Sequence, residues 1–119
     1  MAVKLFDSEL KVMEVLWRHG PLSAGQIAKL LKDDIGWNRN TTYTVIKKCI
    51  DKGAIERSEP GFMCRALIDR DVVQQAETDE LIDRMFDGSA EMFFAAMLSN
   101  NRLNRDEIER LKKMADGIQ

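Results

Sequence analysis

The spacing of apolar and polar positions predicts helices along most of this chain, with one β-hairpin near its middle. A first helix is expected to start from an N-cap at Asp7 and to run to about Arg18, just before Gly20 and Pro21. Its expected apolar face comprises Leu10, Met13, Val15, Leu16 and Trp17. Its expected outer face comprises Glu9, Lys11, Glu14 and Arg18.

A second helix is predicted to begin within residues 22–27, because Ser23 and Gln26 have the spacing of a capping box. The residues expected to face the core are Ile27, Leu30 and Leu31. Residues 33–36, with the sequence DDIG, should end this helix. Only a short connection then leads to a third helix, which is the order of a helix-turn-helix.

The third helix is expected to start from an N-cap at Asn38, to end at Gly53 and to have two different faces. Its apolar stripe comprises Thr42, Val45, Ile46, Cys49 and Ile50. Its polar face comprises Arg39, Asn40, Thr41, Tyr43, Thr44, Lys47 and Lys48. Such hydroxyl, amide, phenol and cationic groups can bond to base edges and phosphate oxygens in a DNA major groove. The plainer alternative is an ordinary solvated face of a core helix.

A β-hairpin is predicted after Gly53, because residues 54–58 and 62–68 flank the turn sequence Glu59-Pro60-Gly61. Arg57 and Arg65 are the cations of this hairpin that could reach a phosphate or a minor groove. Three helices followed by a hairpin predict a winged helix-turn-helix DNA-binding domain over residues 1–70. The predicted fold class is therefore mostly α with a small β-hairpin.

Residues 71–119 are predicted to form three more helices, at about 71–86, 89–99 and from Asn104 to the end. The last of these should begin with a capping box, because Asn104 and Glu107 have that spacing. The middle helix is apolar nearly all round, yet three helices of this size have little interior in which to bury it. We therefore predict a homodimerisation region, ahead of a small-molecule pocket. The residues expected at the dimer contact are Leu81, Met85, Phe86, Met92, Phe93, Phe94, Met97, Leu98, Ile108, Leu111 and Met114.

Composition and charge refine this prediction. Residues 1–70 hold 12 Lys and Arg against 9 Asp and Glu, a charge of +3, whereas residues 71–119 hold 6 against 11, a charge of −5. This asymmetry permits the first region to bind DNA. The chain lacks a signal peptide and an apolar run long enough to span a membrane, so a cytoplasmic location without membrane partners is expected.

The cysteines and the single histidine do not predict a metal or cofactor site. Cys49 and Cys64 lack the CxxC spacing, and Cys49 lies on an apolar stripe, as a small core residue would. His19 is expected to interact with the negative end of the first helix. The sequence also contains no Ser/His/Asp set and no phosphate-binding glycine loop, so an enzyme is not expected.

Five segments, taken in order, resemble the penicillinase-repressor and methicillin-resistance-repressor family (BlaI/MecI type) from about Leu5 to Met114. They are DSELKVMEVLW at 7–17, LSAGQI at 22–27, WNRNTTYTVIKKCIDKG at 37–53, LIDRMFDGS at 81–89 and LNRDEIERL at 103–111. The resemblance implies a homodimeric repressor that binds an inverted repeat in a promoter and dimerises through its C-terminal helices.

The resemblance also implies that the start of the third helix enters the major groove. Tyr43 stands where the best-known members have an arginine, and Asn40 where they have a lysine, so a different operator is expected. Relatives controlled by β-lactam sensing are cut at an Asn-Phe bond, whereas this chain has Ala96-Met97 near that position. The sequence leaves open whether repression is relieved by a sensor protease or by another inducer. Copper sensing through C-terminal Cys-x-Cys motifs is not expected, because no cysteine follows Cys64.

Two function classes follow from these observations. The leading prediction is a dimeric transcriptional repressor that binds a palindromic operator and acts by occupying promoter DNA. The alternative is a protein-interaction module that uses a winged-helix scaffold, because fold alone does not determine function.

Overall fold

The computed structural model describes residues 3–118, which form six α-helices and three β-strands. In chain order the elements are α1 (Asp7–His19), β1 (Leu22–Ser23), α2 (Ala24–Ile35), α3 (Arg39–Asp51), β2 (Ile55–Ser58), β3 (Met63–Ala66), α4 (Arg70–Met85), α5 (Ala90–Ser99) and α6 (Arg105–Asp116). The fold is mostly helical with a small antiparallel sheet, and this confirms the predicted fold class.

The chain divides into two compact units, one up to Ala76 and one from Glu77. We call them the winged-helix unit and the helical unit. The division lies within α4, whereas the sequence suggested a boundary after residue 70. The first turn of α4 belongs to the winged-helix unit because Val73 is buried in that unit's core.

The sheet of the winged-helix unit has the strand order β1-β3-β2. The predicted hairpin is present, with Ile55 opposite Ala66 and Ser58 opposite Met63. The short strand β1 was not predicted, because Leu22 and Ser23 were interpreted only as the start of the second helix, where Ser23 is indeed the N-cap. Leu22 instead pairs with Cys64 and closes the sheet on the other side of β3. A strand of two residues is too short to leave a periodic signal in the sequence.

The core of the winged-helix unit lies between the first three helices and the sheet. Its fully buried side chains include Val12 and Met13 of α1, Ile27 of α2, Ile46 of α3 and Ile55 of β2. Leu30 was predicted to face this core, but its side chain is 36% exposed and the prediction was wrong. The helical turn places Leu30 on the outer edge of the apolar stripe, while Ile27 and Leu31 are buried as predicted.

Two predictions about α1 were also wrong. The N-cap residue is Phe6 rather than Asp7, and the Phe6 N–H donates to Glu9 Oε1 at 2.7 Å. Glu9 was expected on the outer face, yet it is only 1% exposed. Its carboxylate is buried because it accepts this N–H and also pairs with Lys52 Nζ at 2.6 Å.

Side chains of α1 also fix the segment that follows the hairpin. Trp17 Nε1 donates to the Ile68 carbonyl at 2.9 Å. Arg70 pairs with Glu14 Oε2 at 2.8 Å, and its guanidinium lies 5.6 Å from the centre of the Trp17 ring. The start of α4 is thereby attached to the winged-helix unit.

The helical unit has the predicted cap at the start of its last helix but little interior. Asn104 and Glu107 form the predicted capping box at the start of α6, with distances of 2.8 and 3.0 Å. Phe86, Phe93 and Phe94 meet edge to face, with ring centres 5.5 and 5.6 Å apart. Beyond Val73, every described residue remains at least partly exposed to solvent.

The predicted dimerisation residues of the helical unit line two open apolar grooves. One groove is lined by Leu81, Met85, Phe86, Phe93, Ala96 and Met97. The other is lined by Phe94, Leu98, Leu103, Ile108, Leu111 and Met114. Met92 is half exposed and lines neither groove. None of the helices described within residues 3–118 is long and apolar enough to cross a membrane.

Candidate nucleic-acid interface

Helix α3 is held against the core by the apolar stripe that the sequence predicted. Thr42, Val45, Ile46 and Cys49 are buried, and Ile50 is half-buried. The N-cap is also as predicted, because Asn38 Oδ1 accepts the Thr41 N–H at 2.8 Å. At the other end, Gly53 has φ of 79°, a conformation that suits glycine and turns the chain towards β2.

Burial of one face leaves the polar face of α3 in solvent. Arg39, Asn40, Thr41, Thr44, Lys47 and Lys48 are exposed, and Tyr43 is half-buried. The structure therefore brings the seven α3 residues of the predicted site to one continuous surface. The N-terminal turn of the helix adds backbone N–H groups that favour an anion.

The cations of this α3 surface have no direct salt-bridge partners in the part of the chain that the structure describes. Among the described residues, no carboxylate forms a salt bridge with Arg39, Lys47 or Lys48. Asp51 is the only acidic residue of the helix and lies at its C-terminal end. The surface is therefore suited to a polyanion.

The end of α3 is anchored by the ion pair between Lys52, which is partly exposed, and the buried carboxylate of Glu9. Lys52 Nζ also donates to the Lys4 carbonyl at 2.7 Å and lies 4.0 Å from the centre of the Phe6 ring. Burial alone would raise the pKa of Glu9, but hydrogen bonds from Lys52 Nζ and the Phe6 N–H outweigh it and lower that pKa. Glu9 is consequently ionised at neutral pH.

The two cysteines serve as core residues. Cys49 and Cys64 are fully buried, as the sequence predicted for Cys49. Burial, with the nearby Glu9 carboxylate, raises the pKa of Cys49 to about 12, so its thiol is protonated at neutral pH. Within residues 3–118, no group of three His, Cys, Asp or Glu side chains is placed to hold a metal ion.

The two predicted arginines of the hairpin are both exposed and lie on opposite faces of the strand pair, because Arg57 is paired with Cys64 and Arg65 with Glu56. Arg65 lies opposite Glu56 across the strand pair, and the two form a salt bridge of 2.8 Å. Arg57 pairs with Glu59 Oε1 at 2.6 Å. Both cations are therefore exposed but already matched by a carboxylate, unlike the cations of α3.

Glu59 is held at the hairpin tip by several donors. Its Oε2 accepts the Phe62 N–H at 3.1 Å, and its Oε1 accepts Arg57 Nε at 2.8 Å. The backbone N–H of Phe62 and then the Arg57 guanidinium lower the pKa of Glu59. Glu59 is therefore ionised at neutral pH, and its carboxylate is paired with Arg57 at the hairpin tip.

Phe62 joins the hairpin to α3 and was missed as a site residue. Its ring lies edge-on to Tyr43, with ring centres 5.6 Å apart and planes at 88°. The guanidinium of Arg57 lies 3.6 Å from the centre of the Phe62 ring. On the α3 side, Arg39 donates to the Tyr43 hydroxyl at 2.7 Å. In the sequence, Phe62 is one apolar residue of a strand, and only the folded hairpin places it beside Tyr43.

A profile of the penicillinase repressor family matches residues 5–117 of this chain. The chain belongs to the penicillinase repressor family. This confirms the resemblance found in the sequence, and the match extends through both units.

Curated relatives of this family member cover nearly all of its length. The penicillinase repressor of Bacillus licheniformis is 25% identical over 95% of this chain and 90% of its own. The methicillin resistance regulatory protein MecI of Staphylococcus aureus is 22% identical over 93% of this chain and 92% of its own.

Two solved structures are similar to this family member over somewhat more than half of its chain. The solution structure of the DNA-binding domain of the repressor BlaI matches with a TM-score of 0.55 and 28% identity, over 60% of this chain and 90% of that one. The Bacillus licheniformis BlaI monomeric form in complex with the blaP half-operator matches with a TM-score of 0.52 and 30% identity, over 58% and 87%.

Proposed function

We propose that this protein is a transcriptional repressor that binds double-stranded promoter DNA as a homodimer, with α3 in the major groove. The observation that carries the proposal is the face of α3, where cations without salt-bridge partners and hydrogen-bonding side chains lie opposite a buried stripe. The relative that was solved with a half-operator supports DNA as the partner. Occupying the promoter represses transcription without any chemical step.

The side chains of α3 divide into two roles. Arg39, Lys47 and Lys48, with the N-terminal amides of the helix, are suited to phosphate oxygens, which fix the register of the protein on DNA. The exposed side chains Asn40, Thr41 and Thr44 can bond to base edges, and a good bidentate contact discriminates by about 1–3 kcal/mol. Tyr43 contributes a ring and a hydroxyl at the centre of this surface.

The hairpin is proposed to add weaker contacts. Arg57 and Arg65 are exposed, but each must exchange a carboxylate for a phosphate when DNA binds. Such an exchange between exposed charges yields little net free energy. We therefore assign the larger share of DNA affinity to α3.

The homodimer is supported by the state of the helical unit. Its two grooves expose large apolar side chains, including Met85 and Met114, which are 63% and 66% exposed. Single exposed apolar residues are ordinary, but continuous apolar grooves mark interaction sites. A second copy of the chain would cover the apolar residues of both grooves. Two-fold symmetry would also present two α3 helices to the DNA, which is the arrangement that an inverted repeat requires.

The proposal is tested by selecting binding sites from random duplex DNA at moderate salt. Enrichment of an inverted repeat whose half-sites are about one helical turn apart is the expected result. Lys47→Ala should weaken binding to all sequences alike, because a phosphate contact carries no sequence information. Lys113→Ala, a matched loss of one exposed cation in the helical unit, should leave binding unchanged.

The result that overturns the proposal is a folded protein from which no sequence is enriched. The exposed apolar grooves of the helical unit would then favour the second candidate function, a protein-interaction module. In that case Lys47→Ala would have no effect on any activity, whereas substitutions in the grooves would remove partner binding.

A further inference from the structure

Two arginines on different elements are connected through two aromatic rings. Arg39 of α3 lies 4.8 Å from the centre of the Tyr43 ring, and Arg57 of β2 lies 3.6 Å from the centre of the Phe62 ring. The rings of Tyr43 and Phe62 contact each other edge to face. We call Tyr43 and Phe62 the aromatic bridge.

The backbone of Phe62 holds its ring in this position. Its φ is 50°, in the left-handed region that residues other than glycine rarely adopt. Its carbonyl accepts the Ala24 N–H at 2.9 Å, and its N–H donates to Glu59 at 3.1 Å. An unfavourable backbone conformation persists only where its surroundings fix it, and such positions concentrate at functional sites. Phe62 is therefore fixed at once to the hairpin tip and to the start of α2.

The aromatic bridge also orients the charged groups at its two ends. A guanidinium over a ring keeps its charge and its outer N–H groups, but it loses the freedom to rotate away. Arg39 is additionally held by the Tyr43 hydroxyl, and it has no carboxylate partner among the described residues. The same pair of rings therefore contacts both arginines, and Arg57 is held in addition by Glu59 Oε1 at 2.6 Å.

We propose that Tyr43 and Phe62 are positioning residues that couple the hairpin to α3, so that Arg39 and Arg57 bind the DNA backbone as a coupled pair. This inference rests on the proposed function and adds to it the residues that set the geometry of phosphate contact. Phe62 acts through Arg57, and the Tyr43 hydroxyl acts through Arg39. Contacts at the two elements consequently depend on each other.

The test is a double-mutant cycle on DNA binding with Phe62→Leu, Arg57→Ala and the two combined. The probes are the most enriched duplex from the selection and a scrambled duplex of the same length and composition. A plot of log affinity against log salt has a negative slope. Arg57→Ala should make that slope shallower by about 0.9, the value for one phosphate contact. Phe62→Leu should make the slope shallower by the same amount, although Arg57 is still present. The affinity should fall by about three- to tenfold.

The two substitutions together should have no further effect, because both remove the same contact. Phe62→Tyr should restore the slope, since it keeps the ring. Arg65→Ala is the matched control: it lies on the same hairpin but pairs with Glu56, so its effect should add fully to that of Phe62→Leu. Thermal unfolding of each variant shows whether the fold is retained.

A second variant tests the other end of the bridge without removing a ring. Tyr43→Phe keeps both ring contacts and removes only the hydroxyl that accepts from Arg39. Its effect on affinity should be non-additive with Arg39→Ala and, because the two ends of the bridge are coupled, also with Arg57→Ala. Its effect should be additive with that of Arg65→Ala, which lies outside the bridge. This variant decides the question if Phe62→Leu fails to fold.

The possible outcomes separate the inference from the proposed function. Binding by the unsubstituted protein with fully additive effects, or with an unchanged salt slope in Phe62→Leu or Arg57→Ala, overturns the aromatic bridge and leaves the repressor function intact. Absence of binding to either duplex by the unsubstituted protein overturns both. Non-additivity restricted to the pairs named above supports the inference.

Discussion

The winged-helix unit buries its apolar residues within one chain, whereas the helical unit exposes them. Ile27 and Ile46 are fully enclosed in the first unit, while Phe94 and Leu98 of the second are each 49% exposed. The sequence is as apolar in α5 as in any helix of the chain, so hydrophobic content does not explain the difference. What differs is the number of layers: three helices and a sheet enclose a core, and the helices of the second unit do not.

This difference in burial indicates that the two units have different functions. A unit with a complete core holds α3 rigidly, which is what a surface for base recognition requires. Under the proposed function, the helical unit, which lacks buried residues, gains stability from association with a second copy, and its stability should then depend on protein concentration. The proposal thus assigns DNA recognition and assembly to separate parts of the chain, and it predicts that each can be perturbed without the other.

The largest effect is expected from emptying the core of the winged-helix unit. Ile46→Ala should lower the free energy of unfolding by about 2–5 kcal/mol, because it leaves a cavity at a fully buried site. Leu111→Ala, a comparable truncation at a residue that is 39% exposed in the helical unit, should cost the monomer less than about 1 kcal/mol. Urea unfolding at low protein concentration measures the loss of stability in both variants. Equal losses would contradict the difference in burial between the two units.

The next largest effect is expected from placing a charge in the apolar groove of α5 and α6. Leu98→Glu should weaken homodimerisation by about 2 kcal/mol or more, because a carboxylate would be buried without a partner. Sedimentation equilibrium measures the dissociation constant. Lys113→Glu adds a carboxylate to the same unit outside the groove residues and should change dimerisation little. A protein that is monomeric before substitution would contradict this prediction.

A smaller effect is expected from the ion pair of Lys52 and Glu9 at the end of α3. The pKa of Glu9 is lowered by folding, so its contribution to stability is present above pH 4.5 and is lost as the pH falls through the folded value. Removing the cation by Lys52→Met should cost about 1–2 kcal/mol at neutral pH, because a buried carboxylate loses a donor. Urea unfolding between pH 7 and pH 3 measures both effects. In Glu9→Gln, the free energy of unfolding should fall less steeply as the pH is lowered. If it falls as steeply as in the unsubstituted protein, other carboxylates are responsible for the loss of stability in acid.

The smallest effect is expected from the acid at the hairpin tip. Glu59→Gln should raise DNA affinity about two- to threefold, because Arg57 no longer exchanges a carboxylate for a phosphate. Glu109→Gln makes the same change of charge in the helical unit and should leave the affinity unchanged. Fluorescence anisotropy with the selected duplex measures both variants. Equal gains would indicate an effect of net charge alone.

The order of the elements and the two faces of α3 could be predicted from the sequence, because both depend on local periodicity and capping. The apolar stripe from Thr42 to Cys49 and the capping boxes at Ser23 and Asn104 are of this kind. Strand β1 is too short to show periodicity, and it is defined by its pairing with β3. Non-local pairing is the information that a single sequence lacks.

The same limit explains the errors at single side chains. Glu9 was expected in solvent because acids usually are, but Lys52, distant in the sequence, folds against it. Phe62 was not identified as a site residue because its partner Tyr43 lies on another element. The residues of α3 that face solvent could be listed in advance, whereas the contact that joins them to the hairpin required the fold.

Native mass spectrometry of the protein alone and with the selected duplex tests most directly whether one unit binds DNA while the other assembles the dimer. The predicted result is a species of two chains in the absence of DNA and a complex of two chains on one inverted-repeat duplex. Leu98→Glu should yield single chains that still bind a half-site duplex. A single chain in both states of the unsubstituted protein, or loss of half-site binding in Leu98→Glu while the winged-helix unit stays folded, would contradict it.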